Sequence, residues 1–207
     1  MSFAKNKYLL IREAFAPELM NFCNYVLKIR RSAKHILDKY DDFNHFSNIP
    51  SFNMKNWLGT WDDHQCTGSF SLYGDPTIET LLLMAHPLLE DKTKLKLLPC
   101  YAYSRIYEKG AELKKHTDRE SCEISCTLNV GGDMWPIYLK SKNKKIKIDL
   151  KVGDLLVYRG VDLTHWRDKF KKNECTQVFL HYVEKEGNYS SYFRDERPSF
   201  GMPKYKK

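Results

Sequence analysis

A chain of 207 residues with 42% hydrophobic and 14% aromatic content holds enough apolar material for one sizeable core and too much for a disordered segment. Its longest apolar runs, such as LLLMA at 81–85, are too short to cross a bilayer as a helix. The formal net charge of +8 favours acidic partners, yet the lysines are spread out apart from KSKNKKIK at 140–147 and KFKK at 169–172; without interleaved aromatics or a recognisable reading module, a solvated surface is expected rather than specific nucleic-acid binding.

The opening MSFAKNKYLLIREAF has no basic segment followed by a long apolar stretch, so a cytoplasmic protein is expected. Within it KYLLIREAF reads as an edge strand. Pro17 and Glu18 then open a helical pattern to about residue 40, with Leu19, Phe22, Val26, Ile29, Ile36 and Leu37 expected on its buried face. Residues 41–75 are rich in Asn, Asp, Gly, Ser and aromatics without a clear period, which predicts a long, partly ordered loop region bordering a site. Asp75 as N-cap and Pro76 in the first helical position start a second helix, carrying Ile78, Leu81, Leu82 and Ala85, that Pro87 is expected to interrupt.

Thereafter the period changes to two. Residues 97–107 alternate Tyr101, Tyr103, Arg105 and Tyr107 with Cys100, Ala102, Ser104 and Ile106, a strand with one small face and one large, polar-tipped face. Further strands are expected at 123–130, 134–140, 145–150, 154–159 and 176–184, and the tail from 185 to 207, with PSFGMPKYKK at its end, should run along the surface or fray. The six cysteines are scattered without a CxxC pair, and reduced core thiols are expected, Cys122 and Cys126 among them. Helices first and antiparallel strands after predict an α+β, mainly β protein: helices and loops over 1–96 buttressing a jelly roll over 97–184, all in one domain.

His116-Thr117-Asp118 follows the first long strand of this run. Residues two apart in extended backbone point to one side, so imidazole and carboxylate converge on one ion. His165, in DLTHWRD, is the candidate third ligand. Two histidines and one carboxylate on one face of an octahedral ion leave three positions open, which suits iron(II) that must bind a chelating cosubstrate and oxygen. An HxD alone carries little, and a histidine beside a tryptophan is more often structural; order and context supply the rest.

In that context, the stretch YSRIYEKGAELKKHTDR, followed by ESCEISCTLNVGGD, KVGDLLVYRG, VDLTHWRD and QVFLHYVE, resembles the prolyl 4-hydroxylase-like branch of the 2-oxoglutarate and iron(II)-dependent oxygenases. The likeness spans residues 98–184, with LLIREAFAPELM similar to that group's strand-to-helix entry. It implies a double-stranded β-helix, metal ligands His116, Asp118 and His165, and hydroxylation of a C–H bond with iron(II), 2-oxoglutarate and O2, ascorbate being a further cofactor of such chemistry. A prolyl residue in a peptide or protein is the substrate it suggests first, with a free amino acid or other small molecule close behind and a non-catalytic jelly-roll binding domain as the rival.

One departure matters. Where these enzymes place a lysine or arginine on the final strand to grip the far carboxylate of 2-oxoglutarate, this chain reads Glu174, Cys175, Thr176, Gln177. A carboxylate buried in a barrel without a charged or multiply hydrogen-bonded partner is strongly disfavoured, so another donor is required. Arg105 is the first candidate, sharing a strand face with Tyr107, which the resemblance implies also orients the cosubstrate; Arg167, two residues after His165, is the second, and Asn129 a weaker third. Surface ion pairs for the two arginines and a turn for Asn129 fit as well. Trp135 and Trp166 read as core or rim packing, and neither substrate identity nor oligomeric state is legible.

Overall fold

Residues 2–39, 58–142 and 144–202 are described by the computed structural model. Period-two alternation organises most of them into two antiparallel sheets. The larger, in order β1-β8-β5-β10-β3-β2, contains β1 (Tyr8–Ile11), β2 (Phe70–Tyr73), β3 (Leu97–Glu108), β5 (Ile124–Gly132), β8 (Leu155–Arg159) and β10 (Glu174–Glu184). The smaller, in order β4-β9-β6-β7, contains β4 (Leu113–His116), β6 (Ile137–Ser141), β7 (Lys144–Ile148) and β9 (His165–Arg167).

Alternate residues along the strands of the larger sheet turn to its two faces. Ala102 and Ile106 of β3, Cys126, Leu128 and Val130 of β5, Leu155 and Val157 of β8 and Val178 and Leu180 of β10 form one buried cluster with helices α2 (Pro17–Lys39) and α3 (Pro76–Thr93). The opposite face turns toward the smaller sheet, whose Ile137, Leu139 and Ile148 pack against Leu156 and Tyr158 of β8. Tyr101, Tyr103, Arg105, Phe179 and His181 line the space between the sheets. A short helix, α1 (Phe3–Asn6), precedes β1, and all six cysteines are free and buried, as expected.

Helix α3 begins as its sequence requires: the Asp75 carboxylate accepts hydrogen bonds from the backbone N–H of Thr77 (2.9 Å) and Ile78 (3.4 Å), with Pro76 at the first position. It does not stop at Pro87 but continues to Thr93. The carbonyl that Pro87 cannot satisfy belongs to Leu83, a residue 45% exposed, so water can take the missing bond while Leu89 beyond the proline is fully buried.

Helix α2 has the expected extent but a rotated face. Met20, Cys23 and Leu27 are buried, whereas Phe22 and Ile29 are 56% and 68% exposed. The helix lies close over β5: a Cβ on Gly131 would sit 2.3 Å from Asn24 Nδ2, an approach that slender side chains allow and Phe22 does not. The expected loop at 41–75 lies outside the described residues as far as 57; its remainder contains β2, paired with β3. Nor does the whole tail fray, because Asp195 and Arg197 are buried and Arg197 pairs with buried Glu79 of α3, while 203–207 lie outside the described residues.

Asp154 joins the N-terminal strand to the turn before β8. Its carboxylate accepts from the backbone N–H of Glu13 (3.0 Å) and Lys151 (3.0 Å) and from Arg12. Burial alone would raise its pKa, but these bonds prevail and lower it. A lowered folded pKa contributes stability above the unfolded value of about 3.9, lost as pH falls through the folded value. Asp154→Ala is therefore expected to cost about 1–3 kcal/mol at neutral pH, and chemical denaturation should show that gap narrowing below about pH 4.

Candidate metal centre

Strands β4 and β9 pair with His116 opposite His165, bringing the imidazole centroids to 4.2 Å. Each ring uses Nδ1 to reach a carbonyl two residues earlier, His116 to Lys114 O (2.8 Å) and His165 to Leu163 O (2.9 Å). A carbonyl only accepts, so the ring proton sits on Nδ1 and Nε2 keeps its lone pair. Both Nε2 atoms approach Asp118 Oδ1, at 3.6 and 3.3 Å, and one ligand atom from each of the three residues lies within 4.8 Å of the others. Ligands about 2.1 Å from a shared ion stand about 3 Å apart when adjacent, so the three side chains fit a single ion with little adjustment.

Asp118 is held on every side. Its N–H donates to Gly160 O (2.9 Å), and a Cβ on Gly160 would lie 2.3 Å from Oδ2, so a side chain at 160 would displace the carboxylate. Ser125 Oγ donates its single proton to Oδ2 (2.6 Å) and accepts from His181 Nδ1 (3.1 Å). Oδ1 is thereby left facing the imidazoles. Burial opposes the charged carboxylate, but the close approach of the His116 and His165 imidazoles outweighs it and holds the acid far below the usual range. Burial likewise works against a charged His116, and contact with Asp118 and the Lys114 carbonyl raises its pKa on balance. His181, buried at the cavity wall, is pushed down to about 4 by that burial and stays neutral.

The remaining expected residues divide sharply. Arg105 is buried, but its Nε binds Asp63 Oδ2 (2.5 Å) and its Nη2 binds Gln65 Oε1 (2.8 Å), so its charge is already neutralised. Tyr107 is fully buried, its hydroxyl accepting from Arg105 (3.3 Å) and its ring edge-on to Trp135. Asn129 holds a turn: its amide donates to Leu150 O (3.0 Å) and accepts from Gly131 N–H (3.1 Å). Arg167 is different. Its side chain is 0% exposed, its bonds run to Thr127 Oγ1 (3.3 Å), Gln177 Oε1 (3.1 Å) and the Trp135 carbonyl, its Nε has no partner, and no carboxylate pairs with it among the described residues.

Gln177 belongs to the β10 segment that lacks a cation, so Arg167 brings a guanidinium there from β9 instead. Asp63, Gln65, Ser125 and His181 were not singled out from sequence. The first two come from a loop without periodicity; the last two could have been found by extending the strand alternation, which puts them on the Thr127 and Phe179 faces.

Between the sheets lies a cavity of about 440 Å³ lined by His116, Asp118 and His165 together with Tyr101, Tyr103, Arg105, Arg119 and His181. A second hollow of about 540 Å³, bordered by residues 64–69 and 108–114, meets it at Gln65, Leu113 and His116.

No family model matches the sequence, and no curated protein matches it. Solved structures do match in shape. A Pseudomonas putida prolyl-4-hydroxylase superposes with TM-score 0.62 at 12% identity, covering 89% of this chain and 96% of that one. HygX from Streptomyces hygroscopicus, with nickel and 2-oxoglutarate bound, gives 0.58 at 10% identity over 89% and 85%. A Trichoplax adhaerens prolyl hydroxylase in complex with a hypoxia-inducible factor peptide fragment gives 0.58 at 12% over 89% and 86%. At these identities the likeness is one of fold, and the chain has the fold of the 2-oxoglutarate and iron(II) oxygenases.

Proposed function

We propose that this chain is an iron(II) and 2-oxoglutarate-dependent dioxygenase hydroxylating a C–H bond, that His116, Asp118 and His165 are its metal ligands, and that residues 1–207 form one domain whose paired sheets are a double-stranded β-helix. The observation that carries the reading is the coincidence, on β9, of His165 in a two-histidine, one-carboxylate face with Arg167, a buried guanidinium lacking a carboxylate. A buried charge without a counter-ion is costly, so Arg167 is stabilised when an anion reaches it. Together with a divalent ion, Asp118 and Arg167 leave a surplus of two positive charges, which the two carboxylates of 2-oxoglutarate would balance.

Iron(II), when bound, supplies oxygen activation coupled to decarboxylation of 2-oxoglutarate to succinate. The chain's own groups do the positioning. His116 and His165 present fixed Nε2 lone pairs, and Ser125 restrains Asp118 so that Oδ1 faces them. Arg167, flanked by Thr127 and Gln177, grips the far carboxylate, while Tyr107, Trp135 and Phe170 exclude water around it. Arg105 takes a different part, tying Asp63 and Gln65 to the cavity wall.

The proposed substrate is a prolyl residue in a peptide or protein. The two hollows that meet at His116 leave room for a chain on either side of the ligands. The alternative, a free amino acid, would need a cation for its carboxylate, and both arginines lining the cavity are already paired, Arg105 with Asp63 and Arg119 with Asp195. Ascorbate as reductant and a cytoplasmic home belong to the same reading, in keeping with six unbridged cysteines; no described helix is long and apolar enough to cross a membrane.

Anaerobic titration with iron(II) and 2-oxoglutarate, followed by the visible charge-transfer absorption of the chelate, tests the assignment. Wild type should develop the band and, on admission of oxygen, form succinate; a band without succinate would instead indicate a binding domain. His165→Ala should lose iron binding. Arg167→Gln should keep iron but weaken 2-oxoglutarate about a hundredfold, as expected for loss of charge-assisted bonds; unchanged affinity would remove Arg167 from the cosubstrate site.

Ser125→Ala frees Asp118 Oδ2 without touching a ligand. Loss of such a supporting bond typically weakens metal binding about 10- to 100-fold, and competition with a metal-binding dye, at a temperature where thermal melting shows the variant folded, should show this.

A further inference from the structure

The four strands of the smaller sheet carry six lysines, Lys114, Lys115, Lys140, Lys144, Lys145 and Lys147, and no aspartate or glutamate. All six are exposed. Because Ile137, Leu139, Ile148 and His165 face inward, alternation turns Tyr138, Lys140, Lys145, Lys147 and Trp166 outward. Strand pairing sets Tyr138 beside Trp166, with ring centroids 5.5 Å apart and planes within 20°. Lys145 Nζ lies 3.9 Å from the Tyr138 centroid, and Lys115 Nζ 4.9 Å from that of Trp166.

The aromatics absent from between the lysines along the chain are thus supplied across strands. Each ring–ammonium contact contributes about 0.5–1 kcal/mol at an exposed site, enough to bias the lysines into a level array. The carboxylates nearby, exposed Asp168 at 3.5 Å from Lys145 and half-exposed Asp149 at 3.3 Å from Lys147, make solvent-screened pairs that offset little of the charge. Lys115 and Lys140 have no carboxylate partner among the described residues.

We propose that this outer face is a docking surface for the phosphate backbone of single-stranded nucleic acid. Lysines are point charges without the fork that reads base edges, and no arginine, asparagine or glutamine faces outward from these four strands, so binding is independent of sequence. The large exposed apolar side chains of the helices, Phe22, Tyr25 and Ile29 of α2 and Met84 of α3, lie on other elements. On the lysine face Trp166 is only 7% exposed and the Tyr138 ring lies under the Lys145 ammonium, so little apolar surface is offered for insertion and an anionic membrane is the less fitting partner. The surface stands independently of the metal and 2-oxoglutarate assignment.

Fluorescence anisotropy of a labelled single-stranded oligonucleotide of about 20 mixed bases, from about 50 to 200 mM salt, tests the proposal on the full chain. Wild type should bind, with log affinity falling linearly against log salt. The triple variant K115A/K145A/K147A should bind at least tenfold more weakly at the lowest salt and reduce the magnitude of the slope by about 2, at about 0.7 per lost phosphate contact. The control K92A/K94A/K96A, near the end of α3, should leave both unchanged, and thermal melting should show all three proteins folded. Absence of binding by wild type, equal weakening in the control, or capture by phosphatidylserine vesicles with none by the oligonucleotide would overturn it.

Discussion

The pairing of β4 with β9 is the constraint on which the rest of the centre depends. It is a short pairing, irregular between Leu113 and His116, yet it puts His116 directly across from His165. Two residues so far apart in the chain would not meet without it, and the two backbone carbonyls that fix their tautomers belong to the same local chain paths. The irregularity is functional in effect: an extra residue in one strand re-aims the side chains that follow it, here turning Asp118 in beside both imidazoles.

A polar cavity inside a β protein is stable only if its groups find partners. Most here do so in closed sets. Asp63 takes Arg105, Tyr103 and Ser71 together; Asp195 takes Tyr73 and Arg119. Each set cancels its own charge, so the wall is polar without being strongly charged. Arg167 is the exception: it lies behind the wall, fully enclosed and without a carboxylate partner among the described residues, and this imbalance is what the proposed assignment of the cosubstrate's far carboxylate rests on.

The legible parts of the sequence were those governed by a short repeat or a local cap. Tyr101, Tyr103, Arg105 and Tyr107 share a face because a strand alternates, and Asp75 with Pro76 marks a helix start because orphan N–H groups need an acceptor. The illegible parts depended on which surface approached which. Nothing local says that α2 turns Met20 and Cys23 rather than Phe22 inward, since that follows from the closeness of Asn24 to Gly131. Nor does anything local say that Asp63 reaches Arg105, which turned the first candidate for the cosubstrate cation into one side of a closed pair and left the second, Arg167, without a carboxylate.

The same period of two that builds the centre also builds the lysine face. On β9 the inward residues are His165 and Arg167 and the outward one is Trp166; on β6 Leu139 points in while Tyr138 and Lys140 point out. A slip of one residue in this sheet would exchange the two sets, burying lysines and expelling the imidazole, at a cost far beyond what a small sheet could bear. The basic surface therefore reinforces the register that the histidines need: charged side chains that cannot be buried forbid the alternative pairing, whatever partner the surface meets in solution.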